Sequence, residues 1–556
     1  MRRVIWKIRT GAFVVTVSML MALVIGCGSQ TTSGDNIGRQ PNQSSNPTPP
    51  GNVVPKKGGT ITVALKSEPD TLDIHKSSGL TVVDEIGSFI GGALVTIDPV
   101  SGEVKPSLAE SYTISPDGKT WTFKIRSGVT FHDGTKLTAK SFTLTYERLL
   151  DPQTGSKSTQ FLVESIKSIR APDDQTLILE LKEPNAPQLL NLAFTGWMQP
   201  MSMDAIAKYG NEYGRNPVGV GPWKFASWEP GESISFVRND AYQWGDATLQ
   251  NQGPPRADKL VIKFIADQQT RMAALESGSI DVVKDVPAKD AVRFRNNPKY
   301  QLIEQLNRGM GFDLIMNMNS EALQDIQVRK AINLAVNKEA MIRAAINGEG
   351  IVAHSMLPPT ILGYDKAAES YDYQYNPGEA KKLLDEAGWK VNGEGIREKN
   401  GKILALTLLS TITFGKESQL LQSMLGELGI KLSIKTLEAA AVARAAVNGE
   451  FDLFTDSYTY MDPDILYICF HSSQIGGYNY ARLKDEKLDE LVAKGRATID
   501  PEARKNIYAD AQKYMSEQAY VVPIYVDKQF TVINSRVKGV KKVNEYLIFN
   551  DSSVEE

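Results

Sequence analysis

Strand and helix patterns alternate along the chain from Gly58 onward, so its fold must mix the two kinds of element throughout. In WTFKIR, at 121–126, Trp121, Phe123 and Ile125 alternate with polar neighbours, and the Asp117-Gly118 pair before it predicts a hairpin turn. Farther on, QVRKAINLAVNKEAMIRAAING puts Val328, Ala331, Ile332, Ala335 and Val336 on one helical stripe ending at Asn347-Gly348. NPGEAKKLLDEAGW carries its own punctuation: Asn376 as N-cap, Pro377 at the first helical position, Glu379 at the third and Gly388 as the stop. The class is α/β. A body of about 500 residues exceeds what one core usually supports, which predicts two or three domains, and no repeat of solenoid length divides it.

The N-terminus reads differently. Arg2, Arg3, Lys7 and Arg9 precede an apolar run over 11–25, the layout of an export signal. A run of that length reaches about 22 Å as a helix, short of the roughly 30 Å of bilayer hydrocarbon, which disfavours a permanent transmembrane span. The run closes with Val24-Ile25-Gly26-Cys27, which resembles the lipobox of bacterial lipoproteins. That resemblance implies a signal peptide over 1–26 and an acylated Cys27 that holds the mature chain to the extracytoplasmic face of the cell membrane; an ordinary signal peptide cut nearby is the alternative. With Cys27 acylated, Cys469 in DILYICFH has no disulfide partner and reads as a buried thiol. Residues 28–57 are Ser, Thr, Asn, Gln, Gly and Pro with almost no large apolar side chain, a composition that predicts a disordered tether. Removing the four positive charges ahead of Cys27 takes the net charge from -3 to about -7, which argues against a nucleic-acid partner.

Catalytic signals are missing. The chain lacks H-E-x-x-H, G-x-S-x-G and the phosphate-binding G-x-x-x-x-G-K-[ST], and its four histidines, His75, His132, His354 and His471, do not fall at metal-ligand spacing. Neither a metal nor another cofactor is expected. Asp462 and Asp464 sit two apart, so their carboxylates diverge on a strand or helix, and a lipid-anchored hydrolase is a poor reading.

Four stretches together resemble the extracellular solute-binding proteins of the oligopeptide, dipeptide and nickel family that serve ABC importers. They are PSLAESYTISPDGKTWTFKIRSGVTFHDGTKLTAKSFTLTYERLLDP at 106–152; VGVGPWKFASWEPGESISFVRNDAYQWG at 218–245; RMAALESGSIDVV with FDLIMNMNSEALQDIQVRKAINLAV; and FDLFTDSYTYMDPDILYICFHSS followed by YNYARLKDEKLDELV and VVPIYV. The resemblance implies a two-lobe α/β fold of the type II periplasmic-binding-protein kind, with an inserted subdomain and two crossing hinge strands. Lobe I would take 58–92, 216–306 and 521–556, the inserted subdomain II 93–215, and lobe III 307–520, with crossings near 309–319 and 521–526.

The implied function is capture of a solute between the lobes, by closure about the hinge, and delivery to a membrane permease. A peptide or peptide-like solute is the leading class, a nickel chelate, opine or sugar the alternative, and a peptide-sensing co-receptor would share every residue. A monomer is expected. In peptide-binding members of the family an aspartate four residues before the proline of the Asp-Pro pair grips the ligand's ammonium; here that position is Thr459, ahead of Pro463. Asp456, three residues upstream, is a substitute only if the loop bends, since an odd shift along a strand reverses the face. Tyr458 and Tyr460 offer rings and hydroxyls to a ligand, and His471 and Asn479 complete the candidate contacts.

Overall fold

The computed structural model describes residues 57–77, 80–98, 102–156, 159–543 and 546–555; the expected signal peptide, Cys27 and the expected tether up to residue 56 lie outside the described residues. Among the described residues no helix is long and apolar enough to cross a membrane.

Two sheets organise the body, made continuous by one strand that pairs in both. Val521–Asn534 holds fourteen residues, which at about 3.3 Å each span roughly 46 Å, far beyond the five or six residues of an ordinary strand. Its first part pairs with Met310–Met316, with Ile315 opposite Val521 and Phe312 opposite Tyr525. Its second part pairs with Tyr300–Leu306, running from Leu306 opposite Lys528 to Tyr300 opposite Asn534. Between them the Asn307 amide donates to the Asp527 carbonyl at 2.9 Å. The chain therefore crosses twice at one place, around 307–309 and 526–528, slightly before the first expected crossing and slightly after the second.

This pairing differs from the expected grouping of 521–556 at its first residues. The segment 521–556 does not lie as a block in the first lobe, because Val521 to Tyr525 are hydrogen-bonded into the second sheet. A strand that long cannot finish within one sheet of ordinary width.

The first sheet has Thr60–Leu65 at its centre, parallel to Lys259–Phe264 and to Val282–Val283, with Ser233–Arg238 and Trp223–Glu229 beyond. The second carries Lys431–Leu437, Ala405–Thr411, Leu453–Tyr458 and Met310–Met316 in that order, and both of its faces are covered by apolar clusters. Near-continuous apolar strands such as Met310–Met316 follow from that two-sided burial. A separate four-stranded antiparallel sheet, from Ala109–Ile114, Thr120–Ile125, Thr176–Leu181 and Ile166–Arg170, packs Trp121 and Phe123 beside Phe142 and Tyr146 of the helix Ala139–Leu150. The expected hairpin turn is there, with Gly118 at φ +70°.

Local punctuation is obeyed where it is strong. Pro377–Glu386 starts at Asn376, whose side chain accepts from the Glu379 amide, and it ends before Gly388 at φ +87°. The stripe over 327–348 differs. It forms two helices, Ile326–Ala335 and Lys338–Ala345, because Asn337 leaves the helical conformation and caps the second through the Ala340 amide.

Candidate functional site

The strand Leu453–Tyr458 lies inside the second sheet, between Ala405–Thr411 and Met310–Met316. Period two puts Phe454, Asp456 and Tyr458 on one face, and the following loop, 459–464, runs toward the inserted subdomain. There the Tyr460 hydroxyl donates to Asn191 Oδ1 at 3.0 Å, and the Ala186 amide donates to the Arg496 carbonyl at 2.9 Å. Met461 and Ile499 pack on the subdomain's core. The loop thus sits where two parts of the fold meet.

Two buried ion pairs hold this loop. Arg504 grips both oxygens of Asp462, with Nη1 at 2.8 Å, and Arg496 grips both of Asp464 at 2.8 and 2.6 Å. Asp462 also accepts the Asp464 amide at 2.8 Å, which starts the helix Ile465–Phe470. Burial raises the Asp464 carboxyl to about 6 despite Arg496. These acids are structural parts of the loop, and neither has an oxygen to spare for a substrate.

The remaining candidates separate by surroundings. Thr459 is exposed and Tyr460 is buried. Asn479 is buried as well, and its amide is fully committed: Nδ2 faces the Phe470, His471 and Leu483 carbonyls, and Oδ1 accepts the Leu483 amide. These bonds pin the 478–483 loop, which gives Asn479 a structural role beside its expected contact with a ligand. His471 stacks on Tyr467 at 4.2 Å, and its Nδ1 accepts the Ser473 amide, so it caps the turn Ser472–Gln474.

Asp456 is half-buried, and burial raises its carboxyl to about 6. Directly across from it, on the neighbouring strand Met310–Met316, stands Asp313. Asp313 is 1% exposed, and neither of its oxygens has a hydrogen-bond partner among the described residues. Burial, then the charge of Asp456, holds its carboxyl well above the usual range, with Lys338 pulling the other way. Tyr458 and Phe454, on the same face of the strand as Asp456, pack on other rings at steep angles: Tyr458 to Tyr478 at 5.4 Å and 79°, Tyr478 to Tyr480 at 6.2 Å and 63°, and Phe454 to Tyr480 at 5.3 Å and 86°. Sequence reasoning missed Asp313, Tyr478 and Tyr480. A signal for Asp313 was present, since a lone acid within the apolar run GFDLIMNM is rarely buried without a purpose.

An opening lies beside the crossing residues. A cavity of about 480 Å³ is bounded by Asp285 and Lys289 on one side, Asn347 and Lys416 on the other, and the crossing residues Asp527 and Lys528. Beside it Glu349 accepts from Arg295 at 3.0 Å and from Lys528 at 2.9 Å. Among the described residues no three His, Cys, Asp or Glu side chains converge as a metal would require.

Residues 103–477 match the family profile described as "Bacterial extracellular solute-binding proteins, family 5 Middle". The chain belongs to that family. Proteins of the family are transport receptors that bind substrates outside the cytoplasm for ABC importers, and they are not enzymes. Among its relatives is the heme-binding protein A of Haemophilus influenzae, 31% identical over 80% of this chain and 83% of that one. The dipeptide-binding protein of Escherichia coli is 28% identical over 86% and 91% of the two chains. The structure of the oligopeptide-binding protein AppA from Bacillus subtilis in complex with a nonapeptide overlays with a TM-score of 0.73 at 26% identity, covering 90% of this chain and all of that one.

Proposed function

We propose that this family 5 receptor is a lipoprotein anchored through Cys27, that it captures a peptide or peptide-like solute between its two lobes, and that it hands the solute to a membrane permease. The supporting observation is the double crossing at 307–309 and 526–528, which joins the two sheets through a narrow ribbon while loop 459–464 reaches across to the inserted subdomain. Such a ribbon is a hinge. A solute that contacts both lobes favours the closed form by its differential affinity, and a permease that prefers that form senses occupancy. Micromolar capture asks for only about -8 kcal/mol of net binding.

The lobes follow the division 58–92, 216–306 and 526–556 for lobe I, 93–215 for the inserted subdomain and 307–525 for lobe III. Asp456, Tyr458 and Thr459 face the ligand, and Tyr460 serves closure through Asn191. A non-peptide solute is the second reading, favoured by Thr459 at the position where the family resemblance implies an ammonium-gripping acid and by the heme-binding relative.

Native mass spectrometry of residues 28–556, followed by release of whatever co-purifies, decides between them. A ladder of masses that fragment as short peptides supports the first reading; a single non-peptide mass supports the second. The anchor has its own check. Cys27→Ser is expected to shift the protein from the membrane fraction to the soluble fraction, since no other acyl attachment holds it. Retention of the variant in the membrane fraction would overturn the lipid anchor.

A further inference from the structure

We propose that the inserted subdomain is a clasp: carried by lobe I, it closes on lobe III through Asn191, Ala186 and the turn at Gly118, and these contacts hold part of the population closed before a solute arrives. The clasp rests on the solute-receptor reading and adds to it a share of the closing energy that the protein itself supplies. Chain order fixes which contacts must part. Residues 93–215 leave and re-enter the chain within lobe I, whereas lobe III is joined to lobe I along the chain only at the crossing, 307–309 and 526–528. If the subdomain travels with lobe I, every contact between 93–215 and lobe III breaks when the hinge opens.

The two sides of the subdomain are built differently. Toward lobe I the fit involves backbone and a buried ion pair. Arg148 grips both oxygens of Asp73 at 3.0 and 2.7 Å, and the His132 amide donates to the Gly219 carbonyl at 2.9 Å. Gly196 lies so close to the helix Leu80–Ile90 that an added Cβ would come 2.1 Å from the Asp84 carbonyl oxygen. Toward lobe III the contacts are fewer. Tyr460 donates to Asn191 at 3.0 Å, with both residues buried, and the Ala186 amide donates to the Arg496 carbonyl at 2.9 Å. Ile499 sits over the hairpin turn, where a Cβ added to Gly118 would come 3.0 Å from its Cγ1, and Phe194 packs on the apolar clusters of both parts. The joint to lobe III is the weaker of the two, so it is the one that opens.

Lobe III presents its half of the joint already ordered. The Tyr460 ring belongs to the apolar cluster of that lobe, and Arg496 is held by Asp464 and lies 3.4 Å over the Tyr467 ring. Closing therefore fixes few side chains, and a small set of contacts suffices to keep the closed form populated. Closing energy from the clasp is energy that the solute does not have to provide. Weakening the clasp then lowers the apparent affinity for every solute by the same factor, whatever its chemistry. A permease that senses closure also meets solute-free closed receptors, in a proportion that the clasp sets.

Hydrogen exchange of residues 28–556, stripped of solute by denaturation and refolding, reads the clasp at the Ala186 amide. In the wild type that amide is expected to exchange at least about tenfold more slowly than an unprotected one, yet faster than the amides of the central ladder strand Thr120–Ile125 in the same subdomain. Tyr460→Phe and Ile499→Ser should each speed it about three- to tenfold, the weight of one buried hydrogen bond or part of an apolar side chain, and leave the ladder unchanged. The radius of gyration of both variants by small-angle scattering should rise above that of the wild type. An unprotected Ala186 amide in the wild type overturns the clasp. So does protection equal to that of the ladder with no response to either variant, which would make the joint a fixed interface. Faster exchange of the ladder itself in the variants would assign these contacts to the subdomain's own stability and overturn the clasp as well. None of these results touches the receptor reading, which the release of co-purified solute decides separately.

Discussion

Replacing Arg504 with leucine is expected to lower stability by about 3–5 kcal/mol, the cost of leaving one member of a buried ion pair unpaired. Asp462 loses both guanidinium contacts in that variant, and the Gly495 carbonyl loses its bond from Arg504 Nε at 3.0 Å. The side chains are 12% and 5% exposed, so water does little to relieve the orphaned carboxylate. Urea denaturation of residues 28–556 measures the loss. Since loop 459–464 carries both this pair and Tyr460, solute affinity should fall in parallel. A loss under about 1 kcal/mol would show that the pair is not what fixes the loop.

The second large effect lies in the crossing ribbon. Gly311 sits so close to its neighbour strand that an added Cβ would come 2.0 Å from the Tyr525 carbonyl oxygen, and at Gly309 the corresponding approach is 2.2 Å to the Tyr458 carbonyl oxygen. Gly311→Ala therefore cannot be absorbed by a side chain moving aside; the backbone of Val521–Asn534 must shift. Overpacking of this kind costs about 1–3 kcal/mol and more where backbone is displaced. Because the same residues carry the chain from one sheet to the other, the variant should also change the relation of the lobes, visible as a changed radius of gyration by small-angle scattering. Wild-type stability and an unchanged scattering curve would mean that the ribbon tolerates a wider spacing.

These two sites also show which signals a sequence can carry. Helix ends were legible at Asn376 and Gly388 because caps act within four residues. The stripe over 327–348 was legible as helix but not as two helices, since Asn337 fits a helical period while its side chain competes for the backbone. Asn479 looked like a ligand contact because an amide among tyrosines gives no sign of where its hydrogen bonds go. Only the folded loop, with the Phe470, His471 and Leu483 backbone around it, answers that.

The sequence by itself determined the mixed class and the family resemblance, and it carries the expectations of an export signal and of a threonine where the family pattern implies an acid at 459, all of which are written in residue types and short spacings. Tertiary structure alone decided the partners. Tyr460 meets Asn191 across 269 positions of chain, Asp313 meets Asp456 through strand pairing, and one fourteen-residue strand serves two sheets. Periodicity and caps report on neighbours within a turn or two of chain, whereas a contact between distant segments depends on the register and packing of everything between them.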